Sequence, residues 1–156
     1  MLQNSDHDAP GRREVVSFRV ADQDFCIDIG VVREIRGWTD TTTLPHAQSY
    51  VKGVVNLRGT IVAVVDLSAR LGFGPTAPSA RHIIIIVSIG DQTIGLLADL
   101  VSDILTIDES AMKSVPDIAS EIARDFISNM VTFDDGRMLR QIDLARVIPE
   151  LGSEAA

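Results

Sequence analysis

Three histidines, one cysteine and a few adjacent acids are the side chains in this 156-residue sequence whose types could ligate a metal, attack a carbonyl or move a proton. Their spacing assembles no such site. His7, His46 and His82 are scattered along the chain without the i,i+4 spacing that puts two imidazoles on one helix face. Cys26 is the only cysteine, so it can form neither an internal disulfide nor a thiolate zinc cage, and it is expected as small core filler. Asp108-Glu109 and Asp134-Asp135 lie in polar stretches of turn or helix-start character, where carboxylates satisfy backbone N–H groups and helix dipoles. General acid–base work needs two acids whose surroundings separate their pKa values, and these surroundings do not differ in that way. No G-x-S-x-G, Walker loop or complete G-x-G-x-x-G is present, and Gly72-Phe73-Gly74 reads as a helix stop. The expectation is a protein that is not an enzyme and that carries no metal and no cofactor.

One charged pair is better placed. Glu34 falls within Val31-Val32-Arg33-Glu34-Ile35-Arg36, where Val32 and Ile35 would share a face if the segment is a helical turn. Arg58 occupies the tip Asn56-Leu57-Arg58-Gly59 between two apolar runs. If these elements are neighbours, Glu34 and Arg58 form an ion pair that braces the tip beside an apolar surface. Such a pair orients a binding patch more than it stabilises the fold, since an exposed pair contributes about 0–1 kcal/mol.

The elements that must position these residues are strands. Hydrophobic residues make up 46% of the chain and aromatics only 4%, so the apolar mass is Val, Ile and Leu, which favours pleated surfaces. Val16, Phe18 and Val20, then Phe25, Ile27 and Ile29, alternate with polar neighbours on either side of a turn at 21–24, which predicts a hairpin. Val54 to Leu57 and Thr60 to Val65 predict a second hairpin, with Gly59 supplying positive φ at its tip. Asp66 as N-cap, Leu67, Leu71 and Gly72 predict a short helix. Ile83 to Val87 has no polar face and reads as a strand buried on both sides; Ile94 to Val101 returns after a turn. A net charge of -8 repels phosphate backbones and anionic membranes, so no nucleic acid is expected as a partner. No apolar run approaches the roughly 20 residues of a membrane helix, and Met1 to Gly11 is polar without a signal segment. The protein is therefore expected in the cytoplasm, with no direct membrane insertion.

The pattern occurs twice. Asp22 to Ile35 (DQDFCIDIGVVREI) aligns without a gap on Asp91 to Ile104 (DQTIGLLADLVSDI), an offset of 69 residues from Asp22 to Asp91. Gly59, Asp66 and Leu71 keep the same spacing as Gly136, Asp143 and Ile148, so each half ends in a turn, a strand and an Asp-started helix. The expected architecture is all-β with a few short helices: two tandem subdomains of about five strands each, sharing an apolar seam. Their expected limits are a polar, disordered tail at 1–14, a first subdomain at about 15–73, a linker at 74–80, a second subdomain at about 81–151 and a tail at 152–156. The halves are unequal. Glu34 aligns with Asp103 and Arg58 with Asp135, so only the first half can make the ion pair.

The stretches Val32 to Gly37 (VREIRG), Lys52 to Gly59 (KGVVNLRG), Val64 to Leu67 and Val101 to Leu105 (VSDIL) closely resemble the CheW family of bacterial chemotaxis coupling proteins, over roughly Val15 to Leu151. The resemblance implies two small SH3-like β-barrels. It also implies a scaffold that links the cytoplasmic tip of chemoreceptors, a helical hairpin, to the regulatory domain of a CheA-type histidine kinase, recruited to receptor clusters at the membrane. Carried over by position, Val32, Glu34, Val101 and Ile104 are receptor-groove candidates. Gly53, Leu57 and Arg58 are candidates for the kinase side or for bracing it. Two departures stand out: Ala63 replaces a frequent proline, a minor change if its strand is an edge, and Arg140-Gln141 interrupt a usually apolar last strand, which must then be exposed there or covered by a partner. Two other readings remain open, a same-fold adaptor in a non-motility receptor–kinase pathway and a small β-barrel ligand-binding domain or enzyme.

Overall fold

The computed structural model of the chain describes residues 11–114 and 125–148. Strands β1 (Arg12–Val20) and β2 (Gln23–Asp28) form the first hairpin, and a 3₁₀ turn at Ile29–Val31 leads to β3 (Val32–Gly37). After a long loop, β4 (Val51–Leu57) and β5 (Thr60–Asp66) form the second hairpin, and α1 (Leu67–Arg70) closes the first half. The second half repeats the order: β6 (Ile83–Ile89), β7 (Gln92–Ala98), β8 (Leu100–Asp108), β9 (Ile127–Thr132), β10 (Met138–Ile142) and α2 (Leu144–Val147). No helix among the described residues is long and apolar enough to cross a membrane.

The strands assemble as two five-stranded sheets, in the orders β8-β1-β2-β10-β9 and β3-β6-β7-β5-β4. Each strand in one order is replaced in the other by its counterpart from the opposite half. The match extends to register, because Arg140 sits beside Phe25 in the parallel β10–β2 pair as Ala63 sits beside Ile94 in the parallel β5–β7 pair. The linker at 74–80 therefore separates the repeats along the chain but not the sheets. Each sheet takes strands from both halves, which the division into consecutive subdomains at 15–73 and 81–151 does not describe. A strand's hydrophobic period specifies which face is buried and is silent on which strand lies beside it.

Among the described residues, each sheet closes on itself through one bridge. Lys113, just past β8, exchanges both backbone hydrogen bonds with Met130 of β9 at 2.8 Å, and Thr42, past β3, does the same with Val54 of β4 at 2.9 and 2.8 Å. The closed sheets each enclose a small core, Val15, Cys26, Ile107, Val131 and Leu139 in one, and Val55, Leu57, Val62, Val64, Ile84, Ile86 and Leu97 in the other. Between them lies a larger shared core, with Phe18, Phe25 and Ile27 from the first sheet against Ile85, Ile94 and Leu96 from the second. Strand β6 shows why an unbroken apolar run was needed: Ile84 and Ile86 fill a barrel while Ile85 and Val87 fill the seam. Cys26 is buried inside its barrel, and burial above all, with Asp28 nearby, pushes its thiol up to about 12.

Several local expectations are corrected. The segment from Val32 is a strand rather than a helical turn, and Val32 and Ile35 share a sheet face because the pairing with β6 skips Arg33, which sets Val32 opposite Val87 and Ile35 opposite Ile85. β1 begins at Arg12, so residues 12–14 are not tail but strand, paired with Asp108, Ile107 and Thr106 of β8. The rest of both expected tails lies outside the described residues. Asp66 starts α1 without capping it by its side chain, whereas Asp143 caps α2 by accepting from the Ala145 N–H at 3.2 Å. Neither β5 nor β10 is an edge strand. Gln141 on β10 is buried and satisfied, accepting from Asn129 Nδ2 at 3.0 Å, and Arg140 is half-buried.

Candidate functional site

The ion pair forms because the barrel is closed. β3 and β4 are at opposite ends of the second sheet's order, and the Thr42–Val54 bridge joins those ends, so the β4–β5 tip reaches β3. At that tip both Arg58 and Gly59 have positive φ, 51° and 88°, as a two-residue hairpin turn requires, and Asn56 Oδ1 accepts from the Gly59 N–H at 2.9 Å. An arginine held in the left-handed region is strained by about 1–3 kcal/mol. Its guanidinium donates to Glu34 Oε1, while Arg36 Nη1 donates to Glu34 Oε2 at 3.2 Å. These bonds, that of Arg58 first, hold the Glu34 carboxyl below its usual range. A depressed carboxyl keeps its contribution above the ordinary carboxylate range and loses it only as pH falls through the depressed value. The Arg58 side chain remains 73% exposed.

In the second half the equivalent positions do not meet. Asp103 Oδ1 accepts from the Ile104 N–H at 2.9 Å, and Asp135 pairs with Arg137 at 2.8 Å in its own turn. Hydrogen bonds from Arg137 lower the Asp135 carboxyl.

The apolar candidates divide by exposure. Val32 and Val101, equivalent in the repeat, are half-buried and pack on the shared core from β3 and β8, the edge strands of their respective sheets. Ile104 is 55% exposed on β8, and its equivalent Ile35, which was not among the site candidates, is 45% exposed on β3. The alignment at an offset of 69 residues was the signal that could have found it. Leu57 is buried in the barrel core, so a partner cannot reach it while the barrel is folded. Gly53 lies within the barrel wall at φ 142°, and a Cβ there would sit 2.3 Å from the Thr42 carbonyl oxygen. Its place is structural: it lets the bridging loop approach β4.

Several of the groups weighed for catalysis are engaged elsewhere, and His7 lies outside the described residues. Asp108 and Glu109 pair with Arg12 and Arg13. His82, without a partner recognisable in sequence, approaches Asp99 Oδ1 through Nε2 at 3.5 Å, and its Nδ1 accepts from the Ser79 N–H at 3.1 Å. Ser79 Oγ is 3.2 Å from the same Nδ1, but that hydroxyl also accepts from the Arg81 N–H and belongs to a local turn. Among the described residues no three His, Cys, Asp or Glu side chains are grouped to hold a metal ion. A further side chain, Arg70 of α1, had no signal in the sequence. It lies between the rings of Tyr50 and Phe126, 4.3 and 4.7 Å from their centroids, and donates to the carbonyls of Arg146 and Val147 at the end of α2.

Comparison with known proteins agrees with this geometry. The family model described as a CheW-like domain matches residues 14–151. The "Chemotaxis protein CheW" of Rhizobium meliloti is 46% identical over 156 residues, covering 100% of both chains. The "Probable chemotaxis protein CheW" of Rhizobium etli is 45% identical over 146 residues, 94% of each. The crystal structure of the scaffolding protein TtCheW from Thermoanaerobacter tengcongensis superposes with a TM-score of 0.76 at 32% identity, covering 84% of this chain and 88% of that one. With a barrel pair of this topology and a match from near one end of the sequence to near the other, the chain belongs to the CheW family.

Proposed function

We propose that the chain is a non-catalytic chemotaxis scaffold that couples chemoreceptors to a CheA-type histidine kinase. The observation that carries this reading is the unequal use of two equivalent surfaces. Both edge strands present an exposed isoleucine beside a half-buried valine, Ile35 beside Val32 and Ile104 beside Val101, but only the first is flanked by the Glu34–Arg58 pair. Val32, Val101 and Ile104 suit a helical hairpin laid against an apolar surface, with Glu34 setting register at the rim. Arg58, exposed and pinned, suits the kinase side; Leu57 and Gly53 support that hairpin from within. The relatives' names, chemotaxis proteins and a scaffolding protein, support this reading over a ligand-binding barrel or an adaptor of a non-motility pathway.

The test is a reconstituted assembly of receptor, kinase and this protein. Ile104→Asp is expected to reduce receptor-dependent kinase activation by about tenfold or more while kinase binding persists, as truncating a central interface contact does. Arg58→Glu is expected to weaken kinase binding by a similar factor with the circular dichroism spectrum unchanged. Wild-type activation and pull-down by both variants would sink the assignment.

A further inference from the structure

The two equivalent edge strands carry the same irregularity and opposite charge. On β3 the pairing passes from Val32↔Val87 to Glu34↔Ile86, so Arg33 is the extra residue of a β-bulge. On β8 the pairing passes from Val101↔Phe18 to Asp103↔Ser17, so Ser102 is the extra residue at the equivalent place. A bulge bends its strand and re-aims the side chains at it. Both bulges lie between a valine that packs on the shared core and an exposed isoleucine, so the two surfaces repeat one another in shape.

They do not repeat in charge. Around the β3 bulge three arginines, Arg33, Arg36 and Arg58, share one acid, because Arg36 and Arg58 both donate to Glu34. Arg33 is exposed, and among the described residues its guanidinium has no hydrogen-bond or ion-pair partner. Around the β8 bulge the equivalents of Arg33 and Arg36 are Ser102 and Leu105, and those of Glu34 and Arg58 are the acids Asp103 and Asp135. Asp135 is paired with Arg137 of its own turn, while Asp103 meets a backbone N–H and, among the described residues, no cation. The β3 surface thus keeps an uncompensated positive charge and the β8 surface an uncompensated negative one. Fields between exposed charges reach only about 8 Å at physiological ionic strength, so these local signs outweigh the net charge of -8 on the whole chain.

We propose that Arg33 pairs with an aspartate or glutamate side chain on the receptor's helical hairpin, and that this pair selects which helix of the hairpin lies on β3. The inference rests on the receptor-groove reading above. Two antiparallel helices can seat on two equivalent surfaces in either of two ways, because Val32 with Ile35 and Val101 with Ile104 offer each helix the same apolar contact. Apolar burial is non-directional and does not choose between them. Charge does: a helix that carries an acid is attracted by Arg33 on β3 and repelled by Asp103 on β8, so one arrangement gains a favourable pair and the reverse meets like charges. Arg36 and Arg58 are less suited to this reading, since both guanidinium groups already serve Glu34.

The test titrates the full chain with a soluble cytoplasmic fragment of the receptor by calorimetry, alongside the reconstituted receptor–kinase assembly. Arg33→Glu is expected to weaken receptor binding by about tenfold or more and Arg33→Gln by about two- to fivefold, with kinase binding unchanged in both. Raising the salt concentration should weaken the wild type more steeply than Arg33→Gln. Changing the acidic residues of the receptor tip to lysine one at a time is expected to restore the binding of Arg33→Glu at one position, as a direct pair requires. If the wild type couples receptor to kinase while Arg33→Glu binds the receptor equally well, or no lysine exchange rescues it, the proposal is overturned and the receptor-groove reading stands. A wild-type chain that does not bind the receptor fragment overturns both.

Discussion

Asp66→Ala is expected to lower the free energy of unfolding by about 3–5 kcal/mol, the range for removing one partner of a buried charged network. The carboxylate is 1% exposed and serves three partners: the Thr76 N–H, the Thr76 hydroxyl and the Lys52 ammonium. Without it two donors lose a charged acceptor, and the lysine keeps only its bond to the Thr76 carbonyl. Asp66→Asn, which retains one acceptor oxygen but no charge, is expected to cost roughly half as much. The equivalent Asp143→Ala removes an exposed cap contact and should cost only about 1 kcal/mol. Urea denaturation of the three variants checks the order. Equal costs for Asp66→Ala and Asp143→Ala would mean that the contacts of Asp66 with Thr76 and Lys52 contribute nothing beyond an ordinary helix cap.

That contrast shows where sequence reasoning succeeds and where it stops. Asp66 and Asp143 hold matching places in the repeat, and pattern alone makes both of them N-caps. What separates them among the described residues is that Asp66 is buried under Thr76 while Asp143 is partly exposed, together with a Lys-to-Ser difference at a strand bulge that only register reveals. The hairpins, the doubly buried Ile83 to Val87 and the equivalence of the halves were legible because they rest on local periods of two and on repetition. The exchange of strands between the sheets was not. The parallel pairs β5–β7 and β2–β10 join residues far apart in sequence, and no turn residue announces them. The same holds at the site. Glu34 and Arg58 could be paired on paper because their charges are opposite and the second half lacks the base, while the clamp of Arg70 between Tyr50 and Phe126 crosses from one half to the other without a sequence pattern. For Leu57 the family resemblance leaves contact and bracing open, and alternation along β4, which turns it inward, favours bracing.

Gly53 is where fold and function are most easily confused, and Gly53→Ala separates them. The residue has φ 142°, and an added methyl would meet the Thr42 carbonyl oxygen at 2.3 Å and its carbon at 2.8 Å, both backbone atoms of the loop that closes the barrel. Neither atom can move without breaking the Thr42–Val54 bridge. Strained φ and overpacking together are expected to cost about 2–4 kcal/mol, which for a chain of this size lowers Tm by roughly 5–15 °C. Gly59→Ala is the control: its φ is also positive, 88°, but nothing lies within 4 Å of the added carbon. It should cost only about 1 kcal/mol, so the difference between the two measures the steric part. Opening the bridge also frees the ends of the sheet that bring Arg58 to Glu34, so Gly53→Ala should weaken kinase binding in proportion to its loss of stability. A Gly53→Ala chain that unfolds at the normal temperature yet no longer binds the kinase would make Gly53 a contact residue, and the close approach of Thr42 would then be incidental to binding.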